Sequence, residues 1–167
     1  AKVEHPAIVY ARLVDVSEGR LFQVFELVDG APLDRVLRAK RTLPAARVAR
    51  FGAQLGGALA AAHAAGVVHR DIKPGNVMAT RGSAGVRLLD FGISKVRDRM
   101  LHEGAVARTR GGALLGTPAY MAPEQVLDSA AVSGKSDVYA VGVILFEMLA
   151  GRLPFVGDTA MSLMGMR

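Results

Sequence analysis

The chain has 167 residues, of which 51% are apolar and 22% charged, with no cysteine and a formal net charge of +6. These values fit one globular domain with a real core, and they exclude a disulfide framework, a thiolate metal site and a disordered composition. A basic surface attracts nucleic acid, anionic lipid or acidic substrates, but the arginines are scattered and only three tyrosines and no tryptophan are available for base stacking, so no nucleic-acid partner is expected.

Residues 8–14 and 21–28 are apolar runs rich in β-formers, and Ser17-Glu18-Gly19-Arg20 between them predicts a hairpin turn. A lone hairpin is marginal in water and needs further structure to cover it. After Asp29-Gly30 the pattern becomes helical. Residues 45–65 are alanine-rich, with Val48, Phe51, Leu55 and Leu59 at steps of three and four. That spacing predicts one apolar face of a long helix closed by Gly66. Short apolar pieces at residues 67–68, 77–78 and 86–89 predict short strands around a polar loop, and a Gly- and Arg-rich segment covers residues 93–117. A second strong helix is predicted over residues 136–150. Its stretch VYAVGVILFEMLAG is too short for a membrane span and carries Glu147, so it predicts a buried helix and no membrane segment within the chain. The opening AKVEHPAIV has no helix start and SLMGMR closes the chain inside a helical pattern. The expectation is a segment of a longer domain, inactive by itself.

The chemistry concentrates in HRDIKPGN, residues 69–76. Asp71 supplies a carboxylate able to accept a hydroxyl proton, and Lys73, two residues on in an extended loop, reaches an anionic group on the same side. Asn76 adds a neutral oxygen. A hard cation such as Mg²⁺ takes oxygen ligands, and an amide oxygen with one carboxylate from elsewhere suits it. That carboxylate is Asp90, in LLDFGIS, where a strand-like run ends and Gly92 permits a sharp turn. Base, lysine, amide and metal-binding aspartate together describe phosphoryl transfer, in which the protein mainly positions groups and neutralises charge. Ser133-Gly134-Lys135-Ser136 is no phosphate-binding loop, because Ser129 stands where that motif needs glycine.

HRDIKPGN is similar to the catalytic loop of protein kinases, Asp90-Phe91-Gly92 to their metal-binding motif, and GTPAYMAPE (residues 116–124) to the segment that closes their activation loop. HPAIV, FELVDG and SDVYAVGVILFEMLAGRLPF extend the resemblance over nearly the whole chain, and its flavour is that of bacterial eukaryotic-like Ser/Thr kinases. The resemblance implies an α+β protein-kinase-like fold. Residues 1–29 would be the last part of the small lobe with the hinge, and residues 30–167 most of the helical large lobe. It implies ATP and Mg²⁺ as cofactors, protein substrates, self-association for autophosphorylation and a cytoplasmic setting, with any membrane anchor outside this segment. It assigns Asp71 as the base, Lys73 to the γ-phosphate, Asn76 and Asp90 to Mg²⁺, and Thr117 to a contact with Asp71 at the substrate site. Phe25 would be the gatekeeper, Glu26 and Val28 would offer backbone groups to adenine, and Met78 would form the adenine floor. Arg70 and Lys95 would bind a phosphate on Thr109, eight residues before Thr117. Asp137 would brace the loop through its backbone, and Ile144 and Met148 would support the adenine floor. His5 and His63 are read as structural, and Glu124 as a buried ion-pair partner whose arginine is expected beyond the end of this sequence. No glycine-rich loop, strand lysine or helix glutamate is found. Two other classes stay open at this point: a small-molecule phosphotransferase of kinase-like fold, and a non-catalytic nucleotide-binding scaffold.

Overall fold

The computed structural model describes residues 3–17, 20–82, 85–89, 118–127 and 131–155. Strands β1 (Ala11–Ser17) and β2 (Arg20–Phe25) form an antiparallel hairpin whose innermost pair is Ser17 with Arg20. The hairpin is the predicted one, but the first strand starts later than its apolar run. Ile8 and Val9 leave that run and, with Ala7, pair with a different sheet: Val9 N–H donates to the Leu88 carbonyl at 2.9 Å and Leu88 N–H to the Ala7 carbonyl at 2.7 Å. Ile8 bridges Leu88 in parallel. Ala7, Ile8 and Val9 are buried there. An apolar run signals burial, not which partner supplies it.

The second sheet has the order β3 (Gly30–Pro32), β4 (Val77–Thr80), β5 (Val86–Leu88), all antiparallel. Strands β4 and β5 lie where short strands were predicted. Residues 67–68 do not form one. Val67 N–H instead donates back to the Ala62 carbonyl at 2.9 Å, closing the preceding helix. Strand β3 follows the Asp-Gly turn, and a Cβ placed on Gly30 would lie 2.3 Å from the Ala79 carbonyl oxygen. A backbone atom cannot yield as a side chain can, so Gly30→Ala must separate β3 from β4. The expected cost is about 1–3 kcal/mol, the range of an overpacked interior. A thermal melt within 1 °C of the parent, with the tertiary fold intact, would contradict it.

Helix α1 (Leu33–Lys40) leaves β3, with Asp34 in its first turn and Arg38 and Lys40 in its last, each charge complementing the helix dipole. Helix α2 (Ala45–Ala64) is the long predicted one. Val48, Phe51, Leu55 and Leu59 are all buried, joined by Ala58 and Ala62, and Gly66 after its end has φ +71°. A 3-10 turn (Pro74–Asn76) precedes β4, a second (Pro118–Tyr120) precedes helix α3 (Pro123–Leu127), and helix α4 (Gly134–Ala150) comes last. Helix α4 begins two residues before the predicted start because of a capping box. Ser133 Oγ accepts from Lys135 N–H at 3.4 Å, and Ser136 Oγ accepts from Ser133 N–H at 3.3 Å. Ile144 and Met148 of α4 pack with Phe51 and Leu55 of α2 and with Val77 and Leu88 of the sheet in one core. Among the described residues, no helix is long and apolar enough to cross a membrane. Residues 67–76 therefore lead from α2 into β4, beside a core built from two packed helices and a sheet.

Candidate active site

Residues 67–73 run without regular structure between α2 and the 3-10 turn at Pro74–Asn76. Lys73 is extended, at φ −157° and ψ 162°, so its side chain shares a side with that of Asp71. Lys73 Nζ donates to Asp71 Oδ2 at 2.8 Å and to Oδ1 at 3.1 Å. The turn then folds Asn76 back. Its Nδ2 donates to the Asp71 carbonyl at 2.7 Å and lies 3.3 Å from Asp71 Oδ2. A carbonyl only accepts, so the amide nitrogen must face it, and Oδ1 is the polar atom of Asn76 that remains for a cation. This donor set fits a hard cation in its oxygen chemistry. Among the described residues no group of three or more His, Asp or Glu side chains could hold a metal by itself.

Arg70 occupies the left-handed region at φ +68°, which costs a non-glycine residue on the order of 1–2 kcal/mol. Hydrogen bonds on both sides hold it there. Asp137, 1% exposed, accepts from Arg70 N–H on Oδ1 at 2.9 Å and from His69 N–H on Oδ2 at 2.9 Å. Gln125 Nε2 donates to the Arg70 carbonyl at 2.7 Å, while its own Oε1 accepts from Ala122 N–H at 2.9 Å. His63 Nε2 completes the shell of Asp137 at 2.8 Å. The two histidines differ in use. His69 Nε2 donates to the Leu89 carbonyl at 2.7 Å, and its Nδ1 accepts from Asp71 N–H at 3.3 Å. Leu89 N–H in turn donates to the Asn76 carbonyl at 2.8 Å. The residue that precedes Asp90 in sequence is thereby tied to both ends of the loop.

The loop faces the segment after the second 3-10 turn. Asp71, Lys73, Tyr120, Met121 and Gln125 line a narrow gap of ≈ 10 Å³. Tyr120 Oη donates to Glu147 Oε2 at 2.7 Å, and burial, with the Glu147 carboxylate second, pushes the phenol well above its ordinary range. Glu124 is half-buried and accepts from Ser136 Oγ at 2.6 Å.

Phe25 closes β2, and the connection 26–29 follows it. Phe25 and Val28 are half-buried, while Leu27 between them is 96% exposed. Met78 lies on β4, paired with Pro32 on one side and Arg87 on the other. Ile144 and Met148 are fully buried in the core that contains Val77, the neighbour of Met78. Asp71, Lys73, Asn76 and Arg70 are thus brought together, while Phe25 ends β2, Glu26 and Val28 lie in the connection after it, and Met78 lies on β4 just after the 3-10 turn. Asp90, Lys95, Thr109 and Thr117 lie outside the described residues. Sequence reading missed Gln125, the side chain of Glu26 and Arg87. The first sits beside a motif and drew no attention because its partner is a backbone carbonyl.

A description of the protein kinase domain matches residues 1–166. The chain is 41% identical over 164 residues to the serine/threonine-protein kinase pkn3 of Myxococcus xanthus, which covers 96% of this chain and 29% of that protein. It is 41% identical over 167 residues to serine/threonine-protein kinase PknA of Mycobacterium tuberculosis, covering 97% of this chain and 37% of that one. Against serine/threonine-protein kinase PkaA of Streptomyces coelicolor it is 39% identical over 165 residues, covering 98% and 29%. The chain therefore spans well under half the length of these curated relatives. With the match running from the first residue almost to the last, and with the loop, the strained arginine and its buried aspartate all present, the chain belongs to the protein kinase domain family.

Proposed function

We propose that the chain is the catalytic core of a Ser/Thr protein kinase that transfers the γ-phosphate of ATP to protein hydroxyls. The observation that carries this reading is the Asp71 carboxylate, held by Lys73 Nζ on both oxygens and by Asn76 from its carbonyl side. Asp71 would take the proton of the substrate hydroxyl as its oxygen bonds to the γ-phosphorus and the bond to the ADP oxygen breaks. Lys73 is close enough to Asp71 to lie beside the same phosphoryl group. Asn76 Oδ1 and Asp90 would hold Mg²⁺, which when bound offsets the charge on the phosphates. Glu26 and Val28 would meet the adenine edge with backbone groups, Phe25 would guard the slot and Met78 would floor it. Thr117 would contact Asp71 at the docked substrate. Residues 1–29 would then end the small lobe and residues 30–167 form the large one, in a protein whose kinase segment works in the cytoplasm and self-associates for autophosphorylation.

The test is transfer of labelled phosphate from ATP by the full-length protein, with Mg²⁺, to a generic protein substrate. Phosphoserine or phosphothreonine is expected, and none with Asn76→Ala. Label found only on small molecules, or no transfer by the parent, would overturn the reading.

Regulation follows from charge. Between Asp90 and Glu124 stand Lys95, Arg97, Arg99, Arg108 and Arg110 against Asp98 and Glu103. Phosphate on Thr109 would add about −1.5 to −2 charge and three acceptor oxygens, enough to bridge Arg70 and Lys95. Mass spectrometry of active full-length enzyme should find Thr109 phosphorylated. Thr109→Ala should lower the rate roughly tenfold, the scale of one or two charge-assisted hydrogen bonds lost. An unmodified Thr109 in active enzyme, or an undiminished mutant rate, would refute the assignment.

A further inference from the structure

Arg87 lies on β5 opposite Met78 of β4. Cross-strand partners project from the same face of a sheet, and the burial alternation agrees: Val77, Ala79, Val86 and Leu88 turn to the core while Met78 and Arg87 do not. The Arg87 guanidinium is therefore beside the proposed adenine floor. It donates to the Ile8 carbonyl at 3.0 Å and pairs with Glu26 Oε1. The same Oε1 accepts from Tyr10 N–H at 2.8 Å, and Glu26 N–H donates to the Tyr10 carbonyl at 3.1 Å. One carboxylate oxygen thus joins three pieces of chain: the 26–29 connection, the 8–10 segment and β5. The Arg87 bond, followed by the Tyr10 N–H, holds the Glu26 carboxyl below the usual range.

Alternative roles for the pair are weaker. A surface ion pair is worth little because two flexible side chains are fixed in high dielectric. Arg87 and Glu26 are only 24% and 27% exposed, and each has a backbone partner that fixes it further. The ends they fix are those that bound the adenine slot under the proposed function: the hinge backbone at Glu26 on one side, the floor strand carrying Met78 on the other.

We propose that Arg87 is a positioning residue for the nucleotide, clamping the hinge through Glu26 at a set distance from the floor strand. This rests on the reading of residues 26–28 as the nucleotide hinge. Arg87 touches no reacting atom, so its loss should appear in nucleotide affinity and not in the chemical step.

The experiment uses the full-length protein with a fluorescent ATP analogue and Mg²⁺, together with kcat and KM for ATP. Arg87→Ala is expected to weaken analogue binding and raise KM about tenfold, the size of one charge-assisted hydrogen bond, with kcat within about twofold of the parent. Arg87→Lys should recover most of the loss. The double variant Arg87→Ala, Glu26→Ala should lose no more than the worse single one, because both remove one interaction. Should circular dichroism find Arg87→Ala unfolded, Glu26→Gln carries the test. It keeps an acceptor for Tyr10 N–H, removes the charge facing Arg87, and should raise KM about threefold. Affinity within about twofold of the parent in the folded variants, or additive losses in the double one, would overturn the clamp alone. A parent that binds no nucleotide would overturn the hinge reading and the clamp with it.

Discussion

Replacing Asp71 by alanine in the full-length protein is expected to lower kcat for phosphoryl transfer by about a hundredfold or more while the fold survives. General-base groups contribute on the order of 10²–10⁴ in rate, and Asp71 is the one carboxylate among the described residues that holds both Lys73 and Asn76. The fold should survive because the Asp71 and Lys73 side chains are 32% and 30% exposed. A partly exposed pair of that kind contributes about 1 kcal/mol or less to stability. Asp71→Asn is the sharper variant, since it keeps the shape and the Asn76 contact but cannot take a proton at neutral pH. Asp90→Ala should also inactivate, with weaker binding of Mg²⁺-nucleotide as its separate signature. Preparations must come from a host with no contaminating kinase. More than a tenth of parental kcat for Asp71→Asn, with an unchanged melt, would remove Asp71 from the role of base.

The largest expected loss of stability follows from Asp137→Ala. That carboxylate is 1% exposed and accepts from His69 N–H, Arg70 N–H and His63 Nε2. Removing it leaves two backbone donors in a buried site without the acceptor they face. Each costs about 1–3 kcal/mol, and the left-handed turn at Arg70 loses one of its two restraints. A total of roughly 3–5 kcal/mol is expected, against a typical domain stability of about 5–15 kcal/mol. Thermal unfolding should fall by roughly 10 °C. Activity should fall as well, because Arg70 would relax toward ordinary backbone angles and carry Asp71 with it. Asp137→Asn separates the causes. It nearly preserves volume, yet one of its two polar atoms must present N–H to an N–H. A melt of Asp137→Asn equal to the parent's would show that acceptors are not what the site requires.

The grouping of Asp71, Lys73 and Asn76 was legible in the sequence because it is local. Asp71, Lys73 and Asn76 lie within six consecutive positions. An extended residue at 73 and a 3-10 turn over Pro74–Asn76 suffice to face them together. The stripe Val48, Phe51, Leu55 and Leu59 was legible for a related reason: helical periodicity is written in residue spacing, and its burial follows from the hydrophobic effect. The hairpin at residues 11–25 was legible from its turn residues. Its first strand was misjudged by three positions because an apolar run does not name the sheet that will bury it, and residues 7–9 went to β5.

Only the tertiary structure decided how the loop is held. Asp137 is 67 and 68 positions from the amides it accepts, Gln125 is 55 from the carbonyl it meets, and Glu26 is 61 from Arg87. The resemblance assigned Asp137 to bracing the loop, but nothing read directly from residue types leads to Gln125 or to the Glu26–Arg87 pair. In most of these bonds one partner is a backbone N–H or C=O, a group that nearly every residue carries. Such a bond leaves no mark on the residue type of its partner, and neither sequence spacing nor apolar periodicity encodes it. Residue types therefore determined which chemical groups the loop carries. The packing of α4 against α2 and of the 8–10 segment against β5 decided which backbone groups would restrain it, because those contacts exist only once segments distant in sequence are brought within about 3 Å of one another.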